Sequence, residues 1–392
     1  MTGEQTQAQL APPFTPELEL LRSQCREFVT SELLPNADQW EADEWFPNEV
    51  FKRCADEGLL GLKYPKELGG SDRGYLADAV FTEELSRCRS GGVAAGIGAH
   101  VGIATPPIWK FGTESQQLRY LAPAITGQQI AALGITEPDA GSDVAGLKTS
   151  AKQVEGGYLV NGSKMYITNG IRADFIVTAV KTKPEGGHQG ISFFVIERGE
   201  GIEASKLSKL GWRASDTALI SFDNVFVPEE NLLGELHGGF YLIMANFQWE
   251  RLLMALGAVG SMQDLLERTI DFALTRNSFG KPIGKHQAIR HQLADVATQL
   301  AAGRALTYEA LRRFANGENV LQLVTQAKLF TQRAALQCAD RCLQIHGGAG
   351  YVNNGGNSDP VIERALRDAR LGPIGGGTDE IMKEILGKTY GL

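Results

Sequence analysis

Three places along this chain put chemically useful groups where a ligand could meet them. Thr136 lies in Ile135-Thr136-Glu137-Pro138, which runs on to Gly141-Ser142-Asp143. A hydroxyl and free backbone N–H groups in a glycine-containing turn can hydrogen-bond a ring edge or a phosphate. Taken alone, that segment is better explained as a turn entering a strand. Arg276 opens Arg276-Asn277-Ser278-Phe279-Gly280-Lys281-Pro282-Ile283, ahead of His286-Gln287. A guanidinium fork makes paired charge-assisted hydrogen bonds, so in an acidic chain it is the natural partner for a pyrophosphate, although a lone arginine is usually just solvated. Glu250 stands in Phe247-Gln248-Trp249-Glu250-Arg251-Leu252-Leu253. On a helix beside Trp249 and Leu252 its carboxyl loses hydration, which raises the pKa toward a value suited to taking a proton. The plainer reading is a surface or ion-paired glutamate.

The elements that must position these groups divide the chain into three. Residues 1–128 read as helical: Pro16 suits a first helical position, and Leu18, Leu21, Cys25, Phe28 and Val29 follow at helical spacing. Val80 to Arg87 and Glu114 to Ile125 continue the pattern, separated by a Gly/Ala-rich stretch from Gly91 to Gly102 whose small residues permit close packing. Residues 129–240 change to short β-branched and aromatic runs between turn formers, at Tyr158 to Asn161, Phe175 to Val180, Ile191 to Ile196 and Ala218 to Val227. Asn161-Gly162 predicts a hairpin with strands on both sides. Residues 241–392 return to the helical period: the runs are Phe240 to Met262, Gln263 to Thr275, Gln287 to Phe314 and Val320 to Ile345, then a closing helix from Asp379 to Lys388. The order predicts an α+β chain with an all-α domain on either side of a β domain.

Composition narrows the function. At 392 residues the chain exceeds what one core usually supports, and 43% hydrophobic with 21% charged residues fits a folded soluble protein. A net charge of -8 with no Lys/Arg block argues against nucleic acid as a partner. The five cysteines show neither a disulfide framework nor C-x-x-C metal spacing, so a reducing compartment and no metal are expected. Cys338 and Cys342, one helical turn apart, read as small buried apolar side chains. The first 15 residues hold Glu4 and no Arg or Lys, unlike a secretory signal or organelle presequence, and no apolar run is long enough for a membrane span. A cytoplasmic location is the expectation.

Five segments together resemble the acyl-CoA dehydrogenases over essentially the whole length. They are the Ile135 to Asp143 run, Asn161-Gly162-Ser163-Lys164-Met165-Tyr166-Ile167-Thr168-Asn169, Lys209-Leu210-Gly211-Trp212-Arg213 with Ser215-Asp216-Thr217 and Phe222 to Pro228, the Arg276 segment, and Gln344-Ile345-His346-Gly347-Gly348. The resemblance implies a fold with an N-terminal α-helical domain, a β-barrel-like middle domain and a C-terminal four-helix bundle. It implies FAD as cofactor, a homo-oligomer of tetrameric, dimer-of-dimers type, and an electron-transfer flavoprotein as electron acceptor. The activity implied is introduction of a trans double bond between the α and β carbons of an acyl-CoA in fatty-acid or branched-chain catabolism. On the family's pattern, Leu133, Ile135, Thr136, Gly141, Ser142, Tyr166 and Thr168 fall on the flavin, with Tyr166 in place of the more usual Trp. Arg276, Phe279 and Gln287 fall on an FAD held mainly by a neighbouring subunit, Gln344 and Gly348 on its adenine half, and Thr378 and Glu380 on the cofactor side. Ser142 and Arg251 fall on the substrate.

The base is where this chain departs from most of the family. The usual glutamate immediately before Gly-Thr is replaced: the segment reads Ile374-Gly375-Gly376-Gly377-Thr378-Asp379-Glu380, with Gly376 at the carboxylate position. A minority branch, which includes isovaleryl-CoA, long-chain and citronellyl-CoA enzymes, carries the glutamate on a helix before an arginine, as Glu250-Arg251 does here. The resemblance therefore implies Glu250 as the base, with the Gly376 N–H and a cofactor hydroxyl on the thioester oxygen, and a longer or branched acyl group. Asp379 and Glu380 are weaker candidates. A second departure, Val352 to Pro360, reads as an Asn/Gly/Ser loop insertion. The competing readings are a flavin oxidase or monooxygenase on the same scaffold, and a catalytically silent acyl-CoA-binding protein.

Overall fold

The computed structural model of the protein describes residues 13–352 and 361–392, so the insertion lies largely outside the described residues. Helix α1 (Pro16–Phe28) starts as Pro16 predicts, with Thr15 accepting a hydrogen bond from the Leu18 N–H. The N-terminal block continues through α2 (Ala37–Ala42), α3 (Glu49–Asp56), α4 (Gly74–Leu85), α5 (Gly91–Gly98), α6 (Pro106–Phe111), α7 (Glu114–Gln116) and α8 (Ala122–Ile125). α4 begins at Gly74 rather than Val80, because Ala77 and Asp78 are already buried. The Gly/Ala stretch is itself helical: the Ser90 side chain caps α5, and a π-helical turn, Ala99–Ala104, extends it. The expected helix from Glu114 to Ile125 is divided by another π turn at Gln117–Leu121, after a capping box made by Thr113 and Gln116.

The middle of the chain forms strands β1 (Ala131–Gly134), β2 (Ser150–Val154), β3 (Gly157–Ile167), β4 (Phe175–Lys181), β5 (Ile191–Glu197), β6 (Ile202–Lys206), β7 (Ala218–Pro228) and β8 (Leu232–Leu233). They make one sheet in the order β6-β7-β3-β2-β4-β5-β8, with β1 also beside β4. Side chains alternate faces along a strand. Phe175, Val177 and Ala179 of β4 and Ile191, Phe193 and Val195 of β5 join the core of the N-terminal helices, whereas Ile176, Val180, Phe194 and Ile196 face a second core shared with β3 and β7. The sheet thus curls around its own interior and packs its other face on helices, which explains why β4 is apolar throughout. The predicted hairpin at Asn161-Gly162 is overturned: β3 runs through it, and β2 turns into β3 one step earlier, at Glu155 and Gly156 (φ +75). Gly162 serves a bulge instead. Its φ is +141, and a Cβ there would lie 2.6 Å from Thr149 Cα.

Helix α9 (Gly239–Thr275) is one continuous helix, not the two runs expected, since nothing between Met262 and Gln263 interrupts it. The hairpin of β9 (Asn277–Ser278) and β10 (Lys281–Pro282) turns at Phe279 and Gly280, both at positive φ. α10 (Gln287–Ala315) and α11 (Leu321–His346) pack on α9, followed by α12 (Gly348–Tyr351), α13 (Val361–Ala369) and α14 (Asp379–Thr389). All five cysteines are free and buried, as the cysteine spacing suggests.

Candidate active site

A cavity of about 260 Å³ lies between α4, α5, α9, α11 and α13, and Glu250 and Thr168 both line it. Glu250 is half-buried, with its Oε2 sealed from solvent and without a hydrogen-bond partner. Burial pushes its pKa up to about 7, against the opposing influence of Arg251 and Lys328. The direction is the one the sequence suggests, but Trp249 does not line the cavity. Successive helical residues diverge by roughly 100°, and Trp249 turns into a cluster with Tyr75 and Phe314, at centroid distances of 4.7 and 5.3 Å.

Gly376 comes to the same place from the opposite direction. It has φ +61, and a Cβ built on it would stand 3.8 Å from Glu250 Oε1 and 2.3 Å from Met254 Sδ. Among the described residues, no hydrogen bond takes the Gly376 N–H. Lys328 fixes this turn by donating to Gly377 O at 2.6 Å, and Gln332 donates to Met254 O at 2.6 Å. Burial lowers the Lys328 pKa to about 8. Arg251 is buried behind the base, with its guanidinium 5.6 Å from the Phe247 ring, and does not line the cavity. Thr378 caps α14 by accepting from the Ile381 N–H at 3.3 Å, with Glu380 exposed beside it.

The ends of β1 and β3 bring the next group together. Met165 N–H donates to Thr136 O at 2.8 Å, and a bulge after Lys164 sets Tyr166 at φ +63, 63% exposed. Beneath them the buried Lys164 donates to Ile135 O at 3.0 Å and Glu137 Oε1 at 2.7 Å. The Thr136 and Thr168 hydroxyls have no protein partner among the described residues. Leu133 is half-buried and Ile135 buried, while Gly141 and Ser142 stand in an exposed turn. Of these groups Thr168 lines the cavity; free hydroxyls, an outward aromatic ring and an open glycine turn have the chemistry to hold the isoalloxazine that the sequence implies.

Arg276, Phe279, Gln287, Gln344 and Gly348 are not brought to this cavity within one chain. All five are exposed, Phe279 to 96%, and Arg276 stands about 39 Å along α9 from Glu250 at the ordinary helical rise. Sequence reasoning missed Met254, Gln332, Lys164 and Lys328. Lys328 did leave a signal, a lysine on the face of α11 that buries Val324, Thr325 and Thr331.

Comparison with known proteins identifies the family. Family models for the acyl-CoA dehydrogenase N-terminal, middle and C-terminal domains match residues 15–128, 132–225 and 237–391. The chain is 38% identical over 374 residues to the mitochondrial isovaleryl-CoA dehydrogenase of Oryza sativa subsp. japonica, covering 94% of this chain and 90% of that one. Among solved structures, a probable acyl-CoA dehydrogenase from Mycobacterium abscessus is 40% identical with a TM-score of 0.92, covering 96% and 99% of the two chains. Butyryl-CoA dehydrogenase from Megasphaera elsdenii is 30% identical with a TM-score of 0.92, covering 98% and 100%. The chain belongs to the acyl-CoA dehydrogenase family and is an enzyme of that class.

Proposed function

We propose that Glu250 removes the α-proton of an acyl-CoA thioester, so that the chain forms the trans-2-enoyl-CoA in fatty-acid or branched-chain acyl-CoA breakdown. The supporting observation is the pairing of a carboxyl raised to about 7, lining a mostly apolar cavity, with the unclaimed N–H of Gly376 beside it. Glu250 takes the proton while the Gly376 N–H donates to the thioester oxygen as negative charge grows on it. FAD bound here supplies the acceptor for the β-hydrogen. Thr136, Tyr166 and Thr168 would hold its ring, with Leu133, Ile135, Gly141, Ser142, Thr378 and Glu380 around it. Arg276, Phe279, Gln287, Gln344 and Gly348 would serve the FAD of a second copy, which makes the enzyme an oligomer, a tetramer on the family's pattern. Ser142 and Arg251 would serve the substrate, Arg251 from behind Glu250. The reducing equivalents leave for an electron-transfer flavoprotein. No helix among the described residues is long and apolar enough to cross a membrane, and the unpaired cysteines favour a cytoplasmic location.

The test is Glu250→Gln. The variant is expected to bind FAD and turn yellow, but to lose at least about a hundredfold in the rate at which acyl-CoA bleaches the flavin. Bleaching at the unaltered rate rejects Glu250 as the base.

A further inference from the structure

Glycines of two kinds line the cavity beyond Glu250. At Gly91, Gly102 and Gly372 a neighbour fills the place of the missing side chain: a Cβ would come within 2.3 Å of Trp212, 2.4 Å of Leu253 and 2.0 Å of Gln332. Packing demands those three. Gly98, ending α5, and Gly257, inside α9, are different. A Cβ on either meets no atom within 4 Å, and neither has a positive φ. Glycine weakens a helix interior relative to alanine, so nothing in the packing or the backbone requires it at these two positions. What they leave is room.

That room continues a long, mostly apolar passage. α9 presents Glu250, Met254, Gly257, Ser261, Leu265 and Arg268 to the cavity on successive turns of one face, a run of about 27 Å at the helical rise. α5 and the turn after it present Ala94, Ala95, Gly98, Ala99 and Gly102. The passage ends in charge, where Arg268 donates to Asp264 at 2.8 Å. A butyryl group needs only the first turn past Glu250. A hexadecanoyl chain, about 20 Å extended at ordinary C–C bond lengths, passes both glycines and stops short of the ion pair.

Resting on the reading of Glu250 as the base, we propose that Gly98 and Gly257 set the acyl specificity and that the substrates are long-chain acyl-CoA thioesters. A side chain at either position stands in the path of the distal methylenes and leaves the reacting carbons untouched. The experiment compares kcat/KM for palmitoyl-CoA and butyryl-CoA in the unaltered holoenzyme and in Gly98→Leu, Gly257→Leu and Gly98→Ala. The unaltered enzyme is expected to favour palmitoyl-CoA, and each leucine variant to lower the palmitoyl-to-butyryl ratio by about tenfold or more, with the alanine variant moving it far less. The ratio is blind to lost flavin or partial unfolding, which scale both substrates alike. An unaltered enzyme that favours butyryl-CoA, or leucine variants with an unchanged ratio, overturns the proposal. Failure of the unaltered holoenzyme to turn over either thioester sinks the reading of the site, and this proposal with it.

Discussion

Glu250, which lines the cavity, and Gly376 approach one another closely enough that a Cβ on the glycine would lie 3.8 Å from the Glu250 carboxyl. Two carboxylates at that separation could not both ionise easily, so the site has room for one. Met254 and the backbone decide which, because the Met254 Sδ would meet the Gly376 Cβ at 2.3 Å and the glycine's φ of +61 disfavours any side chain. Moving the carboxylate with Glu250→Gly/Gly376→Glu should therefore fail, leaving flavin bleaching at least about a hundredfold slow. Adding Met254→Ala should recover about tenfold or more by opening that space. A double variant as fast as the unaltered enzyme would show that Met254 blocks nothing.

The raised Glu250 pKa gives a pH signature with a definite sign. A base must be ionised, so kcat/KM should climb about tenfold per pH unit below pH 7 and level off above it. Stability runs the other way. The folded state holds this proton up to about pH 7 while the unfolded chain releases it near the ordinary 4.5, so the fold loses stability as pH rises through that window. Glu250→Gln removes the penalty and should be more stable than the unaltered protein by roughly 2–3 kcal/mol at pH 8, with the gain fading toward pH 4.5. Urea melts at pH 5 and pH 8 check it, and an equal difference at both refutes it.

How much of this was legible in the sequence follows from what each residue needs. Pro16 marks its helix start because proline's fixed φ and missing N–H act locally. Glu250 is legible too, since a carboxyl in an apolar helical run must be desolvated. Asn161-Gly162 misled, because the same glycine freedom that makes a tight turn also makes a bulge, and only the close passage of Thr149 selects the bulge. Trp249 misled for a related reason: adjacency along a helix is not adjacency in space. Lys328, Met254 and Gln332 act through tertiary contacts with Gly377, Gly376 and Gly372, which no local pattern carries.

The buried pair of Lys164 and Glu137 makes a second stability prediction. Lys164 and Glu137 are both buried, and the lysine also holds Ile135 O, so together they fix the residues on either side of Thr136. Removing one member leaves the other charge buried. Lys164→Met should cost about 3 kcal/mol or more in urea unfolding and lower the flavin retained on purification. Lys164→Met/Glu137→Gln should regain most of the stability but not the flavin, because the tether to Ile135 O is still missing. Recovery of both would place the pair's role in stability alone.

Phe279 is a large apolar side chain left 96% exposed at the tip of a hairpin whose two turn residues sit at positive φ. That conformation is unfavourable for a bulky residue, and a turn without a partner would gain from a small polar one in its place. The arrangement makes sense where the ring is covered by another copy and its cofactor, beside the exposed Arg276 and Gln287. Phe279→Asp should therefore leave the single-chain fold and its cavity intact while weakening flavin retention and shifting the oligomer toward smaller species. Light scattering on a sizing column, read with the flavin-to-protein absorbance ratio, measures both. An oligomer and flavin content equal to those of the unaltered protein would mean that Phe279 faces solvent in the assembly as it does in the chain.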